Sequence, residues 1–167
     1  MKLLPLEYEQ KVEYFGNPMD YVREDGSIRD EWEENILTRI DLPRPMPYCG
    51  DRTRLLTSTR CHKLIAPHLS TLLHALFKDQ EVWATINDWG GCYNFRPMRR
   101  VPGSLSSHCW AISADADCAD NPFGKHPKVH QRLEPLLNAH GFLWGGGFSG
   151  KRRDGMHWEF YDVDRLK

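Results

Sequence analysis

Ser106-Ser107-His108-Cys109-Trp110-Ala111-Ile112-Ser113-Ala114-Asp115 is the stretch around which the rest of the chain is read. From Trp110 to Asp117 the rough alternation predicts a strand, with Ile112 and Ala114 on one face and Ser113, Asp115 and Asp117 on the other. Downstream, Asn121-Pro122-Phe123-Gly124 reads as a loop. Residues 127–140 read as a helix, with Val129, Leu133, Leu136 and Leu137 on one stripe and Gly141 as its cap. Pro135 is expected to kink or divide that helix. Phe142 to Trp144 and His157 to Tyr161 complete the set as strands, the last ones antiparallel. Mixed helices and strands in this order give an α+β class.

Working upstream, Asp88 to Phe95 carries Gly90-Gly91 and aromatics, a turn entering a strand. His62 to Phe77 has Leu64, Ile65, Leu69, Leu72, Leu73 and Leu76 at helical spacing, with His68 and His74 read as surface or satisfied positions. Leu55 to Thr59 suits a short strand. Leu6 to Phe15 suits a short helix, followed by turn signals at Asn17-Pro18 and Asp25-Gly26. Trp32 to Leu42 reads as a helix turn or strand that stops at Pro43-Arg44-Pro45-Met46-Pro47, because alternating prolines disfavour regular structure. The expectation is one domain over 1–167: an N-terminal arm, 1–48, packed on a core of about 55–167.

Composition narrows the function classes. The chain has 167 residues, 40% hydrophobic and 27% charged, in the range of a globular domain. A formal net charge of −1 gives no broad electrostatic case for nucleic acid, and the basic cluster Arg96, Arg99, Arg100 is local. The longest apolar stretch, Leu64 to Phe77, is broken by Pro67, His68, Ser70, Thr71 and His74, so no bilayer span is expected. Residues 1–7 lack the apolar run of a signal peptide, which predicts synthesis in the cytoplasm. The five cysteines, Cys49, Cys61, Cys92, Cys109 and Cys118, form no C-x-x-C pair and are expected to be free thiols, with Cys109 turned away from its histidine neighbour. Gly145-Gly146-Gly147 lacks the lysine of a phosphate loop. The tryptophans Trp83, Trp89, Trp110, Trp144 and Trp158 are expected mostly in the core.

The chemistry-bearing residues lie in the C-terminal half. Catalytic zinc takes three protein ligands and keeps a position for water. His108 entering a strand, Asp115 on it and His157 on an antiparallel neighbour can reach one ion. Spacing by itself does not separate ligands from structural histidines in a chain with eight of them. It also leaves the general base open between Glu159, on the strand face of His157, and Asp154, just before that strand.

Read as a whole, 106–115 resembles the S-x-H-x-x-G-x-A-x-D signature of zinc D-alanyl-D-alanine carboxypeptidases and L-alanyl-D-glutamate endopeptidases, the family of the Hedgehog/DD-peptidase fold, which includes phage endolysins. Asp154-Gly155-Met156-His157-Trp158-Glu159 resembles the family's second motif, and the likeness runs from about Gly90 to Phe160. It implies a small antiparallel sheet flanked by helices, and zinc held by His108, Asp115 and His157. It further implies Asp154 as general base and acid, and Arg96 as the residue that binds the substrate carbonyl or carboxylate and stabilises the oxyanion. Arg99 is a less favoured substitute, and Ser106 is a peptide-binding residue. Glu159 then orients a histidine. Ala111 and Ser113 depart from the signature's glycine and alanine, and Asp154 stands where many relatives have glutamate.

The implied function is a monomeric zinc peptidase that cuts the stem peptide of peptidoglycan, in the manner of a phage endolysin released by a holin. A different class, a non-catalytic zinc-binding structural or binding module of a phage particle, is the second reading. A nucleic-acid binder built on the Arg96–Arg100 cluster is the weakest.

Overall fold

The computed structural model describes residues 3–98 and 103–167, with Lys151 described by its backbone alone. Arg99 and Arg100 therefore lie outside the described residues. Helix α1, Tyr8–Phe15, starts where the Gln10 side chain accepts a hydrogen bond from the Glu7 N–H at 2.9 Å. A 3₁₀ turn at Pro18–Tyr21 is capped by Asn17, and α2, Asp30–Ile36, buries Trp32 and Ile36 before running into strand β1, Leu37–Tyr48. Strand β2, Asp51–His62, pairs antiparallel with β1. Helices α3, Ala66–Lys78, and α4, Gln80–Trp83, precede β3, Trp89–Gly91. Strand β4 is Ser113–Ala116, helix α5 is Leu133–Ala139, and β5, Phe142–Trp144, and β6, His157–Phe160, close the chain's regular structure.

The six strands form one sheet in the order β2-β1-β3-β4-β6-β5. The class is α+β. The sheet is mixed where an antiparallel one was expected, because β1 meets β3 in parallel at Tyr48 and Trp89. The stripe of α3 buries Leu69, Leu72, Leu73 and Leu76. Trp32, Trp89, Trp110 and Trp158 are fully buried, and the Trp89 and Trp158 rings meet edge to face at 5.9 Å between centroids. No helix among the described residues is long and apolar enough to cross a membrane.

Several expectations are corrected. The prolines at 43, 45 and 47 do not end regular structure: β1 continues through them, and its pairing with β2 skips from Asp41 (opposite Ser58) to Met46 (opposite Leu56). The extra residues bulge out, which accommodates residues without an N–H donor. The helix expected over 127–140 is only Leu133–Ala139, so Pro135 sits in its first turn, where its missing donor does no harm, and His126, His130 and His140 flank it. The strand expected from Trp110 begins at Ser113, because Ser107–Trp110 winds into a 3₁₀ helix. Cys49 and Cys118 are not free thiols but a disulfide with Cα atoms 5.9 Å apart, bridging 69 residues, while Cys61, Cys92 and Cys109 are buried thiols. A partner so distant in sequence leaves no spacing signal.

Candidate metal centre

Ser106 caps the 3₁₀ helix, its Oγ accepting from the His108 N–H at 3.4 Å. Ala111 then turns the chain into β4 with φ 54° and ψ 30°. That left-handed conformation suits glycine, and an L side chain there costs about 1 kcal/mol. The departure from the signature at 111 is therefore carried as local strain. Cys109, buried on the same helix, holds the segment that bears Arg96: its thiol donates to the Arg96 carbonyl at 3.1 Å and accepts from the Arg96 N–H at 3.3 Å. The extended segment expected around Cys109 is instead this 3₁₀ helix, and the thiol is directed at the Arg96 backbone.

Strands β4 and β6 pair with Asp115 opposite His157 and Ser113 opposite Glu159. Directly paired residues share a sheet face, which brings the carboxylate and the imidazole together. Asp115 Oδ1 lies 3.2 Å from His108 Nε2 and 3.2 Å from His157 Nδ1. One ligand atom from each of the three residues falls within 4.8 Å of the others. A side chain on Gly90 would place its Cβ 2.9 Å from Asp115 Cβ, so glycine is needed where β3 passes the site.

The remaining nitrogens are committed. His108 Nδ1 donates to the Cys92 carbonyl at 2.9 Å, which leaves Nε2 as the ligand atom. His157 Nε2 donates to Glu159 Oε2 at 3.2 Å, which leaves Nδ1. Glu159 in turn pairs through Oε1 with Lys11 Nζ at 3.0 Å, both side chains 6% exposed. A ligand histidine whose other nitrogen is held by a carboxylate is the usual second layer of a metal site. Two imidazoles and one carboxylate make a donor set that could hold a divalent metal ion.

Electrostatics follow the same chain of contacts. Burial pushes the His157 pKa down, but hydrogen bonds to Asp115 and Glu159 outweigh it and lift it to about 10. Burial raises Asp115, yet His108 and His157 hold its carboxyl far below the ordinary carboxylate range. Glu159, also raised by burial, is brought down to about 2 by Lys11 and His157. These shifts favour a protonated His157 held between the two carboxylates of Asp115 and Glu159.

A cleft of about 630 Å³ opens beside the centre and is lined by His157, Asp154, Arg96 and Ser106 together with the apolar Leu143, Trp144 and Phe148. All the sequence-predicted site residues that are described thus lie at the centre or on the cleft wall. The loop before β6 is pinned by backbone bonds from Asp154 N–H to the Gly145 carbonyl at 3.0 Å and from His157 N–H to the Asp154 carbonyl at 3.2 Å. Gly145 is tight against it: a Cβ there would sit 2.5 Å from the Asp154 carbonyl oxygen. Sequence reasoning missed Lys11. Its signal was a lysine four residues before Phe15 on the buried face of α1, where an apolar residue is the default. No protein-family model matches the chain, and no curated protein matches it in sequence.

Proposed function

We propose that the chain is a zinc peptidase that hydrolyses a peptide bond in the stem of peptidoglycan, as an L-alanyl-D-glutamate endopeptidase or a D-alanyl-D-alanine carboxypeptidase. The observation that carries this reading is the convergence of His108, Asp115 and His157, with both histidine tautomers fixed, at a cleft that also presents Asp154 and Arg96. The resemblance of 106–115 and 154–159 to the zinc carboxypeptidase and endopeptidase signatures supplies the substrate class.

His108 Nε2, Asp115 and His157 Nδ1 would hold the ion, which when bound supplies Lewis acidity and a water ionised near neutral pH. Asp154 takes the proton of the attacking water and returns it to the leaving amine. Arg96 directs its guanidinium at the carbonyl oxygen as charge develops there. Ser106 offers a hydroxyl to the peptide backbone, and Leu143, Trp144 and Phe148 exclude water from the apolar parts of the substrate.

Purified protein with zinc is expected to release peptide fragments from peptidoglycan and to stop doing so when a chelator is added. Asp154→Ala is expected to lower the rate by at least about 10²-fold, with zinc stoichiometry unchanged. Mass spectrometry of the fragments assigns the bond. No digestion with zinc supplied, or an undiminished rate in Asp154→Ala, ends the reading.

A further inference from the structure

Away from the histidine centre, three other donors converge. Cys49 follows the end of β1, Asp88 precedes β3, and Cys118 lies in the turn after β4. Their ligand atoms lie within 4.8 Å of one another. Asp88 is fully buried; its Oδ1 accepts from the Cys118 N–H at 2.7 Å and lies 2.7 Å from Cys49 Sγ. Its Oδ2 is buried with no hydrogen-bond partner among the described residues. A carboxylate removed from water beside an uncharged disulfide is costly to hold, and no ion pair to Asp88 is present among the described residues.

We propose that reduction of the Cys49–Cys118 disulfide turns this cluster into a second metal site, in which the two thiolates and the Asp88 carboxylate hold a thiophilic divalent cation such as zinc. Reduction transfers two electrons and two protons from a small dithiol. The S–S bond breaks, two thiols form, and the dithiol leaves as its own disulfide. Metal uptake then releases the two thiol protons. Two sulfurs and one carboxylate oxygen fill three positions of a tetrahedral ion and leave the fourth to water.

The frame around the cluster does not depend on the S–S bond. The Cys49 N–H bonds to the Trp89 carbonyl at 3.0 Å, and the Asp117 N–H to the Asp88 carbonyl at 2.9 Å. Gly90 makes room for the sulfur, since a Cβ there would stand 3.1 Å from Cys118 Sγ. Cys49 and Cys118 are half-buried, which gives an ion a path in. The other thiols are poor competitors: burial pushes Cys61 up to about 12 and raises Cys92 and Cys109 as well. Bond or ion, the same three elements are tied together, and β4, which carries Asp115, stays anchored in either redox state.

Cobalt(II) is the probe, because a thiolate-to-cobalt charge-transfer band in the near ultraviolet reports sulfur ligands and is silent for the histidine centre. The wild-type chain, reduced with a phosphine and desalted under argon, is expected to bind one more equivalent of cobalt than the oxidised chain and to show that band. Cys49→Ser/Cys118→Ser is expected to abolish both. Asp88→Asn, which keeps an oxygen to accept from the Cys118 N–H, is expected to weaken the sulfur site at least tenfold with the histidine site unchanged. A reduced wild type without the band, a band that survives the double serine variant, or unchanged affinity in Asp88→Asn overturns the proposal. None of these outcomes bears on peptidoglycan hydrolysis, so this site and the peptidase reading stand or fall separately.

Discussion

His157 faces two carboxylates with two nitrogens, and under the proposed function this would make zinc uptake a proton exchange. With its pKa lifted to about 10 by Asp115 and Glu159, the ring is protonated at neutral pH until a cation displaces the proton. Zinc affinity is therefore expected to fall about tenfold for each unit of acidification below neutrality, and calorimetry in buffers of different ionisation enthalpy should count about one proton released per ion bound at pH 7.5. His62 behaves oppositely. Burial in the core, beside the Phe15 ring at 5.1 Å, pushes its pKa down to about 4, and its Nδ1 accepts from the Leu64 N–H at 3.1 Å, which requires the neutral ring. The unfolded chain takes up this proton near pH 6.5 and the folded chain only near pH 4. Stability is thus full above pH 6.5 and declines by about 3 kcal/mol as the pH falls to 4. Urea melts across that range should show the decline, and His62→Gln should flatten it. At this scale the sequence was informative where a motif names the atom: His108, Asp115 and His157 could be singled out from 106–115 and 154–159. It was silent on the Cys92 carbonyl that fixes the tautomer of His108, because a backbone oxygen has no letter of its own.

Among the elements, α1 is the one whose role a reading of periodicity undersells. Eight residues long, it buries Lys11 and Phe15 and delivers an ammonium to the carboxylate that holds His157. Lys11→Met keeps the stem's bulk but strips Glu159 of its cation. It is expected to lower stability by about 3 kcal/mol and zinc affinity about tenfold, read by thermal melting and by competition with a chromophoric chelator. Adding Glu159→Gln should recover the stability and not the affinity, which separates a positioning role from simple packing. The elements read well from sequence are those with one dominant signal: α3 by its leucine stripe, and β5 and β6 by position and alternation. The misread ones carry competing signals. Residues 127–132 have helical spacing but belong to the loop held by Asn121, whose side chain bonds the Lys128 backbone. Trp110 to Ile112 alternates like a strand yet is bent by the cap at Ser106 and the left-handed turn at Ala111.

At the scale of the whole molecule, the bridge between Cys49 and Cys118 closes a loop of 69 residues that contains β2, α3, β3 and the 3₁₀ helix bearing His108. Chain-entropy reasoning assigns such a closure about 4 kcal/mol. Reduction in the presence of chelator, or Cys49→Ser/Cys118→Ser, is expected to lower the melting temperature by several degrees, measured by circular dichroism. Neither the bridge nor the parallel contact of Tyr48 with Trp89 was legible in the sequence, since both join segments far apart in the chain that carry no shared pattern. The α+β class was legible because it needs only the order of local elements. The prolines at 43, 45 and 47 have a consequence for molecules in a crowd. Alternate residues of a strand send their N–H groups toward the same neighbour, and β1 meets β3 only at Tyr48. Three missing donors reduce what that stretch of β1 offers a foreign strand, and at the border of the sheet β2 presents the exposed charges of Arg52, Arg54 and Arg60, so edge-to-edge stacking into fibres is disfavoured.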